Sequence, residues 1–371
     1  MGYNIAAMDS ITQGLLGAVT AQLAFRQRIG RDAGWAAAAT ALIADADSYI
    51  VRGLGLTYAG QADLAHMAYH RGISHSLLAV PVIAAASAGA WWLLRRGIAR
   101  LRGREKSGPR FALLYACCFV AALSHPLLDL FTSYGTQLLS PITNARFAID
   151  ALPFIDIIYT PILILTLLGC YVARKLAGNW RRATARVAWA GFALSLAYTG
   201  AGYALGRLAI HKAAGVWGPP GEAEKPAQCR ASPMIPTIFV WRVVRRTPER
   251  WSTARINVLF AVDGDRRLRG EAPVVDNRWV RRARRLTAVR TYDWFAMGQT
   301  RATYEFTAGR HVVEFHDMRF SFPPESVNSM WPMRVVFDPD GSLRGTGRQR
   351  HFRRGGIGRA LRQAWGYLWK P

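Results

Sequence analysis

Residues 111–131 read FALLYACCFVAALSHPLLDLF, an apolar stretch that ends with His125 and Asp129. About 20 apolar residues are enough for a helix to cross the hydrocarbon core of a bilayer. Ionisable groups at the edge of hydrocarbon are costly unless they pair or bind a cation, so each one indicates a functional site. The stretch therefore predicts a transmembrane helix with a functional pair at one end.

The whole chain combines high apolar content with strong basicity. It has 371 residues, 51% of them hydrophobic, and a net charge of +25, which is unusual for a soluble enzyme. We therefore predict an α-helical integral membrane bundle of five or six spans, followed by a smaller β-rich C-terminal domain. The candidate spans are Ser10 to Phe25, Ala33 to Val51, Ser74 to Leu94, Phe111 to Phe131, Phe154 to Ala173 and Val187 to Ile210. The first two are short and rich in alanine, so buried or half-inserted helices remain an alternative there.

The composition changes after His211, where glycine and proline become frequent. We predict a membrane-embedded metal-site domain at 1–212, a linker at 213–232 and a basic β-rich domain at 233–371. Alternating apolar residues separated by Asp-Gly and Ala-Gly pairs predict antiparallel hairpins and a small sheet of about four to six strands.

Lysine and arginine are unevenly distributed among the short connections. Fifteen follow the first, third and fifth candidate spans, whereas the opposite connections contain only Arg52, Arg71 and Arg146. The positive-inside tendency makes the first set cytoplasmic. The sequence therefore predicts a protein of the bacterial inner membrane, with the metal site and the C-terminal domain on the outer, periplasmic side.

Acidic and imidazole side chains fall at the outer end of the spans. His125 and Asp129 are four residues apart, so on a helix they lie one turn apart on one face, where they can bind one cation or orient each other. Asp45 and Asp47 point to different sides of a helix, which favours one ligand and one residue that holds a histidine or a second metal. A frayed last turn would let both bind.

His70 and His75 are five residues apart and would diverge on a continuous helix. Ser74 is a candidate N-cap, which would leave His70 in the preceding loop and His75 in the first turn of the third span. Asp156 opens the fifth span, and there capping of the helix and metal ligation are equally good readings.

The predicted ligands are therefore Asp45, His70, His75, His125 and Asp129. Imidazole and carboxylate without thiolate suit zinc, with manganese or iron as alternatives, and more than four ligands suggest more than one ion. A metal ion in such a site activates water for attack on an ester. Asp47 or Asp156 is the candidate general base.

The segments that carry these residues resemble a known family of membrane proteins, the YdjM-type family described as metal-dependent hydrolases. The resemblance rests on MDSITQGLLGA from Met8, DADSY from Asp45, HRGISHSLL from His70, HPLLDLFTSYGTQLL from His125 and FIDIIYT from Phe154. It implies a relation to zinc-dependent phospholipase C and single-strand nucleases, with a zinc cluster in a helical fold and phosphodiester cleavage. Many relatives have His where this chain has Gln13, which weakens position 13 as a ligand.

Three further residues are candidates for substrate binding. Arg71 has the chemistry to hold a phosphate by bidentate hydrogen bonds, and the alternative is an interfacial cation that reaches the headgroups. Thr136 and Gln137 have polar groups for substrate oxygens, although such residues also form ordinary turns.

The C-terminal region offers basic and amphipathic surfaces. Arginines between Arg278 and Arg290 form a patch for which we favour anionic phospholipid as the partner over nucleic acid. The tail has apolar residues every four positions, ending at Trp365 and Trp369, so it predicts a helix that lies on the bilayer or packs on its own domain. The rivals to a hydrolase are a membrane protein that binds or transports a metal without catalysis, and an anchored lipid-binding or nucleic-acid-binding protein.

Overall fold

The computed structural model describes residues 4–103, 110–218, 228–260, 269–348 and 356–369, with side chains from Ser10 onward and, in the last segment, from Arg362 onward. The chain forms two compact units. The first comprises Met1–Val51, Tyr69–Ile149 and Phe154–Ala201, and the second comprises Arg52–Ala68, Asp150–Pro153 and Gly202–Pro371. Neither unit is therefore a single stretch of sequence.

The N-terminal part of the chain is helical. Its helices are α1 (Asn4–Ala24), α2 (Arg26–Ile29), α3 (Asp32–Leu42), α4 (Ala46–Gly53), α5 (Ala62–Tyr69), a 3-10 turn (Ile73–His75), α6 (Ala79–Leu101), α7 (Phe111–Leu130), α8 (Tyr159–Leu176) and α9 (Trp180–Trp217). In the first unit α1 packs on α3, α7 and α8, and α7 also packs on α3 and α6.

Small side chains let these helices approach closely. One buried cluster joins α1, α3 and α7 through Ala21, Ala33, Ala37, Cys117 and Ala121. A Cβ atom at Gly17 would lie 2.7 Å from the Cβ of Ala41 and 2.8 Å from the carbonyl oxygen of Ala37. Only glycine fits at position 17, and this contact sets the distance between α1 and the end of α3 that leads to Asp45.

Among the described residues, two helices are long and apolar enough to cross a membrane: α7 with 20 residues and α8 with 18. The pair Ala62–His75 and Ala79–Leu101, bent by 74°, would add a third if it forms one span. A prediction of five or six spans is therefore not supported within the described residues. The predicted second span ends early, because α3 has 11 residues and reaches about 16 Å against a hydrocarbon core of about 30 Å. In α9 five glycines, two tyrosines and two threonines lower the mean hydropathy.

The second unit contains two antiparallel sheets of four strands each, in the orders β1-β2-β3-β4 and β5-β6-β7-β8. The strands are β1 (Gln228–Pro233), β2 (Val240–Arg246), β3 (Arg250–Asn257), β4 (Arg269–Pro273), β5 (Thr300–Thr307), β6 (Arg310–Asp317), β7 (Met333–Phe337) and β8 (Leu343–Arg348). The β-rich region is confirmed, and its described residues form eight strands rather than four to six. Strand β2 lacks alternation because Arg242 is fully buried and donates to the carbonyl oxygens of Met318 and Ser326.

Three helices accompany the sheets: α10 (Arg278–Arg284), α11 (Thr287–Phe295) and α12 (Gly356–Tyr367). The predicted basic patch lies on α10 and α11, where Arg281 pairs with Asp276 and Arg282 lies over the ring of Phe337. The tail packs on its own domain, because Tyr367 and Leu368 join a cluster with Val240, whereas Trp365 and Trp369 are exposed.

The predicted linker at 213–232 is partly regular structure. Helix α9 continues to Trp217 and β1 begins at Gln228, and the intervening 219–227 lie outside the described residues.

Residues 52–68 fold with the second unit although they lie between Asp47 and His70 in sequence. Tyr58 and Gln61 form a small bridge, and the side-chain amide of Gln61 donates to the hydroxyl of Thr346 in β8. The connection between two parts of the predicted site is therefore held by the C-terminal β structure.

Candidate metal centre

His125 lies near the end of α7, and its side chain is 1% exposed. Its Nδ1 is 2.5 Å from the carbonyl oxygen of Ala41. A carbonyl oxygen can only accept, so Nδ1 is the donor and Nε2 keeps its lone pair. The close packing at Gly17 brings this carbonyl into reach, and the result is an imidazole whose Nε2 can bind a cation.

His75 ends the 3-10 turn and is fully buried. Its Nδ1 lies 3.3 Å from Oδ2 of Asp47 and 3.0 Å from the hydroxyl oxygen of Ser74. A carboxylate that accepts from Nδ1 leaves Nε2 unprotonated, which is the usual arrangement behind a metal-binding histidine. Asp47 therefore orients His75 in the way that Ala41 orients His125.

The third member is Asp45, in the turn between α3 and α4. The Nε2 atoms of His75 and His125 are 3.0 Å apart, and Oδ1 of Asp45 lies 3.4 Å and 3.5 Å from them. Around a tetrahedral ion, ligand atoms at about 2.0–2.1 Å from the metal lie about 3.3–3.4 Å from one another. The triad of Asp45, His75 and His125 thus has the size of one face of such a tetrahedron and forms a candidate metal-binding site.

Asp129 adjoins the triad from one turn further along α7. Its Oδ2 lies 3.3 Å from Nε2 of His75 and 3.5 Å from Nε2 of His125. Its Oδ1 accepts from Gln13 at 2.9 Å and pairs with Arg71 at 3.0 Å. The Oδ2 of Asp129 and the Oε1 of Gln13 are buried without a hydrogen-bond partner among the described residues. The orphaned Oδ2 of Asp129 beside the two imidazole lone pairs fits a bound cation.

Asp47 lies between two histidines rather than within the triad. Its Oδ1 is 2.8 Å from Nδ1 of His70, and its Oδ2 also accepts from the Ser74 hydroxyl at 2.6 Å. His70 lies next to Asp47, and the structure does not bring it into the triad. The role of His70 as a direct ligand stays a prediction, while its position is that of a neighbour of the residue that orients His75.

The two acids at the end of α3 are held in the charged form. Burial alone would raise the pKa of Asp45, but the imidazoles of His125 and His75 next to its carboxylate hold that pKa well below its usual range. Burial likewise opposes ionisation of Asp47, and hydrogen bonds from His70 and His75 hold its pKa well below the usual range. Both carboxylates therefore carry negative charge at neutral pH, as ligation and orientation of a cation require.

Arg71 is buried and turned toward Asp129. Its guanidinium donates to the Thr132 hydroxyl at 2.7 Å and contacts Asp129 at 3.0 Å, while its backbone N–H donates to Asp47. Its backbone has φ +57°, a conformation that residues other than glycine rarely adopt. The guanidinium of Arg71 thus has protein partners at Asp129 and Thr132, and its binding of a substrate phosphate stays a prediction.

Gly72 and the segment after α7 support the same loop. A Cβ atom at Gly72 would lie 2.7 Å from the carbonyl oxygen of Tyr69, so the bend requires glycine. Gln137 donates its backbone N–H to the carbonyl oxygen of Arg71, and Thr136 is fully buried. Substrate binding by Thr136 and Gln137 stays a prediction, and their burial places them in the support of the loop.

Asp156 has different surroundings. Its Oδ1 accepts from the backbone N–H groups of Ile158 and Tyr159 at 2.8 Å and 2.9 Å, and the Tyr198 hydroxyl lies 2.9 Å from Oδ2. Of the two readings of this residue, its contacts match the cap of α8. Among the described residues Asp156 has no contact with the triad, and its role as general base stays a prediction.

Two details of the site differ from the sequence prediction. Ser74 does not cap the third span, because its hydroxyl binds Asp47 and α6 begins only at Ala79, whose N–H donates to the Ser76 hydroxyl. Gln13, weak as a ligand by its chemistry, is fully buried against Asp129. The contact of the Ala41 carbonyl with His125 could not be predicted from the sequence, because every residue has a backbone carbonyl whatever its type.

Comparison with known proteins places the N-terminal part of the chain in one family. A family model described as "YdjM inner membrane protein" matches residues 8–209, which include all residues of the triad. None of the curated proteins matches the chain. None of the solved structures matches it either.

Proposed function

The chain belongs to the YdjM inner membrane protein family, and from this premise we propose that it is a membrane-bound metal-dependent hydrolase of a phosphoester or related ester. The observation that carries the proposal is the triad of Asp45, His75 and His125, whose three ligand atoms lie 3.0 to 3.5 Å apart. Three protein ligands leave a coordination position open, which is the pattern of a catalytic rather than a structural site.

Zinc is the ion we propose, with manganese or iron as alternatives, because the ligands are two imidazoles and a carboxylate. When bound, such an ion lowers the pKa of water and stabilises negative charge on an ester oxygen. The proposed orientation places this chemistry at the periplasmic side, from the distribution of Lys and Arg.

Residues around the triad orient its histidines and Asp129. Asp47 holds the proton on Nδ1 of His75, and the carbonyl of Ala41 holds the proton on Nδ1 of His125, so both Nε2 atoms stay available. Arg71 and Gln13 fix Oδ1 of Asp129 and aim its Oδ2 at the two histidines. We assign Asp129 as the acceptor of a proton from water, because its Oδ2 accepts no hydrogen bond from the described residues.

Elemental analysis of the detergent-purified protein tests the metal site. We expect stoichiometric transition metal in the wild type and its loss in a His75→Ala, His125→Ala double variant. The control is His311→Ala, which removes an imidazole from β6. Absence of metal from the wild type, even after incubation with zinc, manganese or iron, would reject the site.

A non-catalytic metal-binding protein is the second candidate function. It is favoured by the burial of His75 and His125, which are 0% and 1% exposed. A metal-loaded protein that hydrolyses neither phosphodiesters nor carboxylic esters would favour this candidate over the hydrolase.

A further inference from the structure

A cavity of about 400 Å³ lies on the second sheet of the C-terminal unit, lined by residues of β6, β7 and β8. In the register of this sheet Val312 pairs with Val336, and Val336 pairs with Gly345. Arg334 on the same face of β7 pairs with Gly347. Paired residues of antiparallel strands point to the same face of a sheet. One face therefore carries two adjacent valines in its middle strands and two glycines at β8.

The two glycines of this face, Gly345 and Gly347, lie in the interior of β8 (Leu343–Arg348). Neither has a positive φ. A Cβ atom at either position would meet nothing within 4 Å. Neither a turn nor close packing thus requires glycine there, although glycine in the interior of a strand weakens it. Such glycines often mark a place where a ligand approaches the backbone closely, and here they leave open space above β8.

Three arginines also line the cavity: Arg310, Arg334 and Arg344. The Nε of Arg310 and the Nη1 of Arg344 lie 3.5 Å and 3.4 Å from the same Oδ1 atom of Asp338. The Nε of Arg334 is 3.8 Å from Glu314, which is too far for a hydrogen bond, and it is buried without a hydrogen-bond partner among the described residues. Each guanidinium has five N–H donors, so the three groups retain donors for a further anion.

We propose that this cavity binds an organic phosphate, with its phosphate monoester at the three arginines and its organic part over Val312, Val336 and the open space above β8. A phosphate monoester carries nearly two negative charges at neutral pH and offers three terminal oxygens, which matches three guanidinium groups. The volume of the cavity is in the range of small-molecule sites. The site lies outside residues 8–209, which match the family model, and its ligand does not depend on the metal triad.

Isothermal titration calorimetry of the full chain in detergent tests the site, with glycerol 3-phosphate as the probe. In an Arg310→Gln, Arg344→Gln double variant we expect the affinity to fall at least about tenfold, because two charged donors are lost. The control is Arg281→Gln, which also removes an arginine from an exposed ion pair, with Asp276 at 3.1 Å. This control should bind the probe as the wild type does.

A second variant tests the shape of the cavity without changing its charge. Gly347→Val places a side chain in the open space above β8, and valine suits a strand. We expect an affinity for glycerol 3-phosphate at least about tenfold below that of the wild type, while thermal unfolding followed by circular dichroism shows a folded protein.

Nanodiscs distinguish two sources of the same phosphate monoester, a soluble compound and a lipid headgroup. Phosphatidic acid carries this group at the bilayer surface. Weaker binding of glycerol 3-phosphate in discs that contain phosphatidic acid than in discs of phosphatidylcholine alone would support a site that takes the headgroup. Equal binding in the two kinds of disc would support a site for a soluble phosphate ester.

Three results would overturn the proposal. The first is a wild type that binds no glycerol 3-phosphate at millimolar concentration. The second is wild-type affinity in both the double arginine variant and Gly347→Val, which would place the probe elsewhere on the protein. The third is displacement of the probe by a single-stranded oligonucleotide without terminal phosphates, which would assign the arginines to a nucleic-acid backbone instead.

Discussion

The Nδ1 atom of His75 lies 3.3 Å from Oδ2 of Asp47. Asp47 thereby decides which nitrogen of His75 carries the proton, although it is not a member of the triad. The same carboxylate holds Nδ1 of His70 at 2.8 Å with its other oxygen. Its two oxygens therefore join both halves of the HRGISH segment to the turn that carries Asp45.

Replacement of this carboxylate should weaken metal binding without removing a ligand of the triad. In Asp47→Asn only one amide oxygen remains to accept from two histidines, so the ring of His75 loses its fixed orientation. We expect metal affinity to fall about 10–100-fold, measured by competition with a chromophoric chelator. Asp276→Asn, at an exposed acid on the second unit, should leave the affinity unchanged. Equal affinities of wild type and Asp47→Asn would show that Asp47 does not orient a ligand.

Gln13 is expected to stabilise the buried Asp129. Its amide donates to Oδ1 of Asp129 at 2.9 Å and is fully buried. Gln13→Leu removes this donor and should lower the free energy of unfolding by about 1–3 kcal/mol. The matched variant is Gln27→Leu, which removes an exposed amide bonded to the Arg181 carbonyl and should cost less than about 0.5 kcal/mol. Thermal unfolding in detergent measures both, and similar losses in the two variants would contradict the expectation.

Both the charge and the planar shape of the Arg71 guanidinium are expected to contribute to the stability of the protein. Arg71→Ala leaves the carboxylate of Asp129 without its cationic partner in a buried position, which should cost about 3–5 kcal/mol of stability. Arg71→Lys keeps the charge but cannot reach both Asp129 and Thr132 in the same way, so it should restore only part of the loss. Unfolding in increasing denaturant measures both variants. Full restoration by lysine would mean that the fork of Arg71 is not needed.

Asp156 offers a test by pH. Burial raises the pKa of Asp156 above its ordinary value, although backbone N–H groups and the Tyr198 hydroxyl oppose this shift. A raised folded-state pKa means that the stability contribution is complete below the unfolded pKa of about 3.9 and is lost as pH rises through the folded pKa. Asp156→Asn should therefore be at least as stable as wild type at pH 7, and this advantage should vanish near pH 4.

The same variant separates a cap from a catalytic base. Asparagine retains an Oδ1 able to accept from Ile158 and Tyr159, so a capping role predicts unchanged turnover in Asp156→Asn. A general base would lose its proton-accepting group, and turnover would fall at least about 100-fold. Thermal unfolding between pH 4 and 7 and initial rates at pH 7 give the two readouts.

Neighbouring residues at the end of α12 should differ sharply in their effect on stability. Leu368 is buried against Val240 and Phe239, whereas Trp369 is 68% exposed. Leu368→Ala should cost about 2–4 kcal/mol, and Trp369→Ala less than about 0.5 kcal/mol. Chemical unfolding followed by circular dichroism of the β-rich unit measures the difference. A larger loss for Trp369→Ala would mean that this ring has a protein partner besides Trp365.

The sequence predicted the parts of the site that depend on local spacing. The separation of His125 and Asp129 fits one helix face, and in the structure both lie on α7 within reach of His75. The two-residue spacing of Asp45 and Asp47 predicted different roles, and one joins the triad while the other binds histidine.

Other features depend on contacts that spacing does not reveal. The orientation of His125 comes from the Ala41 carbonyl, 84 residues away in sequence. The second predicted span rested on the length of the apolar stretch alone. In the structure α3 ends at Leu42 and the chain turns at Ile43 to Asp45. The sequence pattern did not indicate strand β2, because Arg242 interrupts its apolar residues. The buried guanidinium of Arg242 donates to carbonyl oxygens of residues more than 70 positions later.

The bond between Gln61 and Thr346 has a consequence for the order of events during synthesis. Its two residues are 285 positions apart, and Gln61 lies in the segment that connects Asp47 to His70. At about 5–20 residues per second, a ribosome needs about 15–60 s to make the intervening chain. During that interval the helices of the first unit are already available for insertion. The connection between Asp47 and His70 still lacks its contact with β8, because β8 has not yet been made. The connection between Asp47 and His70 is therefore completed only after residue 346 has been made.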